Sequence, residues 1–224
     1  MRVSLPSILS LNAGYVDTAG FLALKGLFTA HVTGNFVTLG AALVLGTSGA
    51  WAKLLALPVF CVVVIGVRLF AYRLKNRGGR ILHTMLALHT LLLIAGAALA
   101  LEFGPFADAD GWSAIVTGMS LVAAMAIQNA AHRIYLTSSP PSTLMTGTTT
   151  QIMIDLADLM HGGATEGTSA MHARLRRFSL AVVVFAVGCA AGALLYGKVG
   201  VWCFVLPPVL GLATLITPES RSDG

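Results

Sequence analysis

Long apolar stretches separated by short polar turns dominate the hydrophobicity pattern. Residues 81–101 and 112–131 carry no formal charge over 21 and 20 positions, and 179–197 and 199–218 carry none over 19 and 20. A helix needs about 20 such residues, at roughly 1.5 Å each, to cross the hydrocarbon of a bilayer. The pattern therefore predicts membrane-spanning α-helices rather than a soluble core.

The whole chain, 1–224, is predicted to form a single all-α transmembrane domain with eight apolar helical segments. These segments cover 4–28, 32–50, 54–74, 81–101, 112–136, 143–161, 178–197 and 199–217. Short turns that are charged or rich in proline separate them, and proline cannot continue a regular helix. The first four segments, about 4–101, and the last four, about 112–217, form two halves of similar length.

Composition agrees with the membrane assignment. The chain is 56% hydrophobic and only 10% charged, with a mean hydropathy of +0.83, which excludes an ordinary soluble domain. Its formal charge of +5 comes mostly from loops beside apolar segments, where membrane topology accounts for it better than nucleic-acid binding. The three cysteines lie within apolar segments and have no metal-ligand spacing.

Two polar motifs recur in the same order in the two halves. Residues 28–35 contain Thr33-Gly34-Asn35 and residues 142–149 contain Thr146-Gly147-Thr148, each at the start of an apolar segment. The sequence Gly-Thr-Ser occurs at 46–48 and again at 167–169, at an offset of 121. Matched landmarks predict an internal duplication, and related halves that form one central site are typical of membrane transporters.

The distribution of cations favours one of two topologies. In one, 32–50 and 143–161 are half-helices that leave on the side where they enter, which gives six spanning helices in two inverted repeats. Eleven of the fourteen lysines and arginines then lie on one side, opposite only Lys25, Lys53 and Lys198. The other topology, eight spanning helices in parallel repeats, distributes the cations almost evenly. Because cytoplasmic loops are rich in Lys and Arg, the six-span topology with both termini cytoplasmic is preferred.

Asp17 is the first candidate functional residue, because a carboxylate inside an apolar segment costs about 2.5–3.5 kcal/mol on insertion scales. It must therefore face a partner or a cavity. It is either a proton or cation site or a residue that binds a neighbouring helix. Gln128 and Asn129 are the amide counterparts in the second half.

The two repeated motifs are the other candidate solute or ion site. Glycine permits close backbone approach, while threonine, asparagine and free helix N–H groups can bind a solute or only cap the helix. The candidates are His31, Thr33, Gly34, Asn35, Thr146, Gly147 and Thr148. His31 is a candidate either to titrate near neutral pH or to bind Asp17. The first, second, fifth and sixth segments should line a central cavity, and the others should form an outer shell.

An enzyme has one candidate site, Asp155, Asp158 and His161, which share a broad helix face. Three ligands on one helix do not complete a metal centre, and no nucleophile or phosphate loop accompanies them. We therefore expect no catalytic residue, metal or cofactor.

The preferred function is a transporter or channel for a small solute, coupled to protons or cations, with a non-transporting scaffold or sensor as the alternative. Expected partners are the lipid bilayer and the solute, with no nucleic acid; a homo-oligomer stays open.

Several of these residues also carry a family resemblance. The chain resembles the YoaK family in Gly14-Tyr15-Val16-Asp17, in Phe28 with 31–35, in Gln128-Asn129 and in 145–148. The similarity extends over about 4–217. This is a bacterial family of multi-spanning membrane proteins of unknown function. The resemblance implies an inner-membrane location and several spanning helices, and it implies no substrate.

Overall fold

The computed structural model describes residues 4–75, 80–143, 145–162 and 168–217. They form eight α-helices and two 3-10 turns. In chain order these are α1 (Leu5–Ala23), a turn at Val32–Gly34, α2 (Asn35–Leu45), α3 (Ala50–Lys75), α4 (Ile81–Phe103), α5 (Trp112–Tyr135), α6 (Met145–His161), α7 (Thr168–Val199), a turn at Gly200–Val205 and α8 (Leu206–Ile216). No strand occurs in these residues, which confirms the all-helical prediction.

One boundary differs from the sequence prediction by a large margin. Helix α7 begins at Thr168, ten residues before the predicted start of the seventh segment at 178. The prediction followed the uncharged stretch and stopped at the basic residues 174–177. Arginine is a good helix former, so the helix continues through these charged positions beyond its apolar part.

Within the described ranges, four helical stretches are long and apolar enough to cross a bilayer: Ala50–Leu74, Ile81–Phe103, Trp112–Tyr135 and Thr168–Ile216. The last consists of α7, the second turn and α8. Large apolar side chains such as Val37, Val44 and Ile216 are exposed on the surface, where lipid can cover them. The chain is therefore a multi-pass membrane protein. Helix α1, of 19 residues, is not among these four stretches and contains Asn12 and Asp17.

Helix α1 packs closely against α7 through glycines. A Cβ added at Gly192 would lie 2.7 Å from the carbonyl oxygen of Tyr15, and one at Gly14 or Gly188 would overlap the backbone of the partner helix. Small residues spaced four apart let membrane helices approach in this way. Because Leu11 lies beside Gly188 and Tyr15 beside Gly192, the two helices run parallel.

Helices α3 and α5 form a second parallel pair. The carboxylate of Asp110, just before α5, accepts hydrogen bonds from the N–H groups of Gly49 at 2.8 Å and Trp51 at 2.9 Å. It thereby caps the start of α3 and places it beside the start of α5.

Helix α1 runs antiparallel to α5. Leu9, early in α1, accepts a hydrogen bond from Gln128, late in α5. Leu24 and Leu27, just after α1, lie against Gly118, early in α5. The first helices of the two halves therefore point in opposite directions.

The segment between α1 and α3 folds back on itself. The ammonium of Lys53, near the start of α3, donates to the carbonyl of Lys25 at 2.9 Å, so α3 begins where α1 ends. Between these points the chain goes back to Asp17, well inside α1, before α2 starts. Helix α2 has 11 residues, about 16 Å of helix, which is too short for a hydrocarbon core of about 30 Å.

We expect Gly188→Ala to destabilise the protein, because the new methyl group overlaps the Leu11 carbonyl and forces α1 and α7 apart. Overpacking of this kind costs about 1–3 kcal/mol. The midpoint of thermal unfolding in detergent should fall. Gly197→Ala on the same helix is the matched control, since a Cβ there meets nothing within 4 Å. An equal loss in both variants would contradict the packing explanation.

Candidate functional site

Asp17 is a buried carboxylate that binds the chain segment ahead of α2. Asp17 as a whole residue is only 4% exposed. Oδ1 accepts hydrogen bonds from the backbone N–H groups of Thr29 and Ala30, both at 2.7 Å. Successive N–H groups form a concave site that suits an anion, and hydrogen bonds to a charged acceptor are strong. Asp17 therefore binds the backbone just before the predicted helix start at residue 32, and not the Thr33-Gly34-Asn35 motif itself.

His31 connects this carboxylate to the interior space of the protein. Its Nδ1 lies 2.7 Å from Oδ2 of Asp17, so the two side chains make the contact considered for them from the sequence. The His31 side chain is 33% exposed, whereas that of Asp17 is 6% exposed. The imidazole packs edge-on against Phe185 of α7, with ring centroids 5.5 Å apart.

Asn35 closes the loop that precedes α2. Its Oδ1 accepts from the N–H of Phe28 at 2.9 Å, and its Nδ2 donates to the Phe28 carbonyl at 2.8 Å. A Cβ at Gly34 would lie 3.0 Å from the Phe28 ring, so a larger residue there would force the ring to move. Asn35 and Gly34 thus shape the loop and do not line the cavity described below.

In the second half, amide side chains hold the segment ahead of α6 against α5. Gln128 donates from Nε2 to the Leu9 carbonyl and to Oγ of Ser142, both at 2.9 Å. Asn129 accepts from the hydroxyl of Thr143 at 2.5 Å and donates to the Met125 carbonyl at 3.0 Å. These bonds fix the segment ahead of α6 to α5, as Asp17 fixes the segment ahead of α2 to α1.

The main cavity, of about 500 Å³, lies where the two halves meet. Such a volume is ordinary for a small-molecule site. Its wall comes from the segment before α2, from α3, from α5 and from Thr143, two residues ahead of α6. The polar and charged side chains in the wall are His31, Thr33, Arg68, Asn129, Arg133 and Thr143.

Only some of the predicted site residues line this cavity. His31, Thr33 and Asn129 line it. Four others, Asp17, Gly34, Asn35 and Gln128, are not among its lining residues. Gly147 and Thr148 line a neighbouring cavity of about 390 Å³ together with Gln151 and Arg174, and Arg133 borders both spaces. Thr146 is exposed at the start of α6 and lines neither of the two.

The expectation that the third segment belongs to an outer shell is wrong. Helix α3 contributes Leu57, Phe60, Val64 and Arg68 to the cavity wall. The reason is its parallel packing against α5, which turns one face of α3 inward. Helix α1 contributes no lining residue among those described and acts on the wall through Asp17.

Sequence reasoning missed both cavity arginines, which it counted only as topology signals. Arg68 was nevertheless recognisable, since it lies within the membrane-length stretch Ala50–Leu74. An ionisable residue in such a stretch usually faces an interior space. A buried pair was also missed: Asn12 Nδ2 lies 3.5 Å from His89 Nε2, which joins α1 to α4.

The residues considered for a metal site do not converge. Asp155 accepts two hydrogen bonds of 2.8 Å from Arg174 and one of 2.8 Å from Gln151. Hydrogen bonds from Arg174 hold the pKa of Asp155 below its ordinary value. Asp158 and His161 are exposed. Among the described residues, no three His, Cys, Asp or Glu side chains are placed to hold a metal ion.

Comparison with known proteins places the chain in a family of membrane proteins. The profile of the family described as "Protein of unknown function (DUF1275)" matches residues 5–217. The chain belongs to this family. It is 28% identical over 227 residues to the "UPF0700 transmembrane protein YoaK" of Bacillus subtilis (strain 168), covering all of this chain and 96% of that protein. The resemblance seen in the sequence is thereby confirmed. No solved structure matches the chain.

We expect Asp17→Ala to destabilise the protein more than Asp17→Asn. Asparagine keeps one oxygen that can accept from the Thr29 and Ala30 N–H groups, whereas alanine leaves both unpaired. Each buried N–H without a partner costs about 1–3 kcal/mol. Thermal unfolding of the purified variants in detergent measures the difference. Equal midpoints for the two variants would show that the carboxylate does not hold this segment.

Proposed function

We propose that the protein is a transporter or channel-like protein for a small solute, with its central site in the main cavity. The observation that supports this most is the composition of the wall, to which both halves contribute. Residues 30–33 and α3 come from the first half, and α5 with Thr143 comes from the second. A site between two halves can open to either side when one half rocks against the other.

The proposal includes an internal duplication with inverted halves. The parallel pair α1 and α7 has its counterpart in the parallel pair α5 and α3, and α1 runs antiparallel to α5. In each half a short helix starts beside a polar side chain of the preceding long helix. Six spans, formed by α1, α3, α4, α5, α7 and by α8 together with the turn at Gly200–Val205, accommodate these contacts with α2 and α6 as half-helices.

The proposed coupling site is the Asp17–His31 pair. The imidazole lines the cavity while the carboxylate lies behind it, so a proton arriving in the cavity reaches Asp17 through the ring. A change at this pair alters the bonds that hold 29–31, which form part of the cavity wall. In the second half the amides of Gln128 and Asn129 carry no charge, which assigns the charge event to the first half.

We expect Val64→Trp to abolish solute movement, because the indole would fill the cavity that Val64 lines. Val62→Trp is the matched control on the same helix, since Val62 is 69% exposed and does not line the cavity. Proteoliposomes are incubated with a mixture of bacterial metabolites, and the solutes retained inside are measured by mass spectrometry. At least one solute should enter with wild-type and Val62→Trp protein only.

Two outcomes would contradict the proposal. If no solute enters wild-type proteoliposomes beyond empty ones, the scaffold or sensor alternative is favoured. If Val64→Trp and Val62→Trp carry the same solutes at the same rates, the path lies elsewhere.

We also expect both termini in the cytoplasm of a bacterial inner membrane. Position 78 should then be inside and Asp108 outside; position 78 lies outside the described residues. In inverted halves, Thr47→Cys should react with an impermeant thiol reagent from outside intact cells and His161→Cys should not. The background has Cys61, Cys189 and Cys203 replaced by alanine. Equal external reactivity at positions 47 and 161 would reject the inverted arrangement.

A further inference from the structure

The ionisable side chains among the described lining residues of the main cavity are all basic. Two guanidinium groups, of Arg68 and Arg133, and the imidazole of His31 line it, and no carboxylate is among its described lining residues. The nearest acid, Asp17, is turned toward the backbone of 29–31 and toward His31. A solute in this cavity therefore meets cationic groups and hydroxyl or amide groups.

Among the described residues, neither cavity arginine forms an ion pair. The described part of the chain contains two ion pairs, His31 with Asp17 and Arg174 with Asp155. The guanidinium of Arg68 instead lies 4.4 Å from the centre of the Tyr72 ring. This contact is a cation–π interaction, whereas the N–H groups of a guanidinium bind carboxylate or phosphate in a bidentate manner.

The apolar surroundings of the two arginines strengthen their attraction for an anion. Arg68 and Arg133 lie toward the C-terminal ends of the parallel helices α3 and α5, at the same end of the cavity. Leu57, Phe60, Val64 and Ile134 form an apolar wall beside them. Charge attraction is stronger next to apolar groups than in open water, and the same wall suits a solute with an apolar body.

We infer that this cavity binds small organic oxyanions, with Arg68 and Arg133 holding the carboxylate or phosphate group and the apolar wall holding the rest. The inference rests on the proposed function, because it names the class of solute for the central site. The same oxyanion chemistry is present in anionic lipid headgroups. We assign the site to a soluble anion, because the cavity of about 500 Å³ has the volume of a small-molecule site and offers polar groups at His31 and Asn129 in addition to the two arginines.

The test uses four probes built on one ring: benzoate, phenyl phosphate, the neutral benzamide and the cationic benzylamine. Each is titrated against the full chain in nanodiscs of pure phosphatidylcholine, and the midpoint of thermal unfolding is measured. Benzoate or phenyl phosphate should raise the midpoint in a saturable manner. Benzamide and benzylamine should produce no saturable rise.

Variants locate the effect. Arg68→Gln and Arg133→Gln should each weaken anion binding at least tenfold, and the double variant should abolish it. Arg68→Lys keeps the charge but loses the bidentate geometry, so it should retain part of the affinity and report on folding. Arg73→Gln is the control, because Arg73 is exposed on α3 and does not line the cavity.

Three results would overturn the inference. One is no saturable shift with either oxyanion, or an equal shift with benzamide. Another is an equal loss in Arg73→Gln, which would assign the effect to general positive charge. The third is stabilisation only by phosphatidylglycerol in the nanodiscs, lost on Arg68→Gln, which would assign the arginines to lipid headgroups. Anion binding without uptake into proteoliposomes would retain this inference and reject transport, whereas Val64-dependent uptake of only neutral or cationic solutes would do the reverse.

Discussion

The carboxylate of Asp17 determines the path of the chain around the cavity. A buried charge is expensive unless it is paired and hydrogen-bonded, and here its partners are the N–H groups of Thr29 and Ala30 and the ring of His31. To reach them, the chain that leaves α1 must go back into the interior before α2 can begin. Helix α2 is then short, α3 starts again beside the end of α1, and the residues held by Asp17 become part of the cavity wall. One interaction thus connects the irregular backbone, the half-helix and the candidate site.

The second half has the same arrangement with neutral groups. Gln128 and Asn129 hold Ser142 and Thr143 through single hydrogen bonds, and no charge is buried there. Its ion pair lies further along, between Asp155 of α6 and Arg174 of α7. In the proposed duplication, the two halves are therefore alike in connectivity and different in chemistry. In the proposed transporter this difference separates two tasks: the first half contains the titratable pair, and the amides of the second half keep the opposite wall in place without a change of charge.

Much of the fold was predictable because apolar length and polar turns are local properties. Every predicted segment overlaps a helix of the structure, and the contact with Asp17 was one of the two roles considered for His31. The role of α3 was not predictable, because it depends on which face of α3 packs against α5. The hydrogen bonds of Asp110 bring the starts of these two helices together, and they join residues that are far apart in the sequence. For the same reason Arg68 appeared to be only a topology signal. The start of α7 was placed too late, because hydropathy marks where the apolar part begins, whereas helix propensity extends the helix further.

Hydrogen exchange at the backbone of residues 29–31 tests the central claim most directly, because these N–H groups have no helix to protect them and depend on Asp17. We expect slow exchange in the peptide that contains Thr29 and Ala30, slow exchange again in Asp17→Asn, and fast exchange in Asp17→Ala while the peptides of α5 stay protected. Fast exchange in the wild-type protein, or unchanged protection in Asp17→Ala, would show that the carboxylate does not hold the cavity wall.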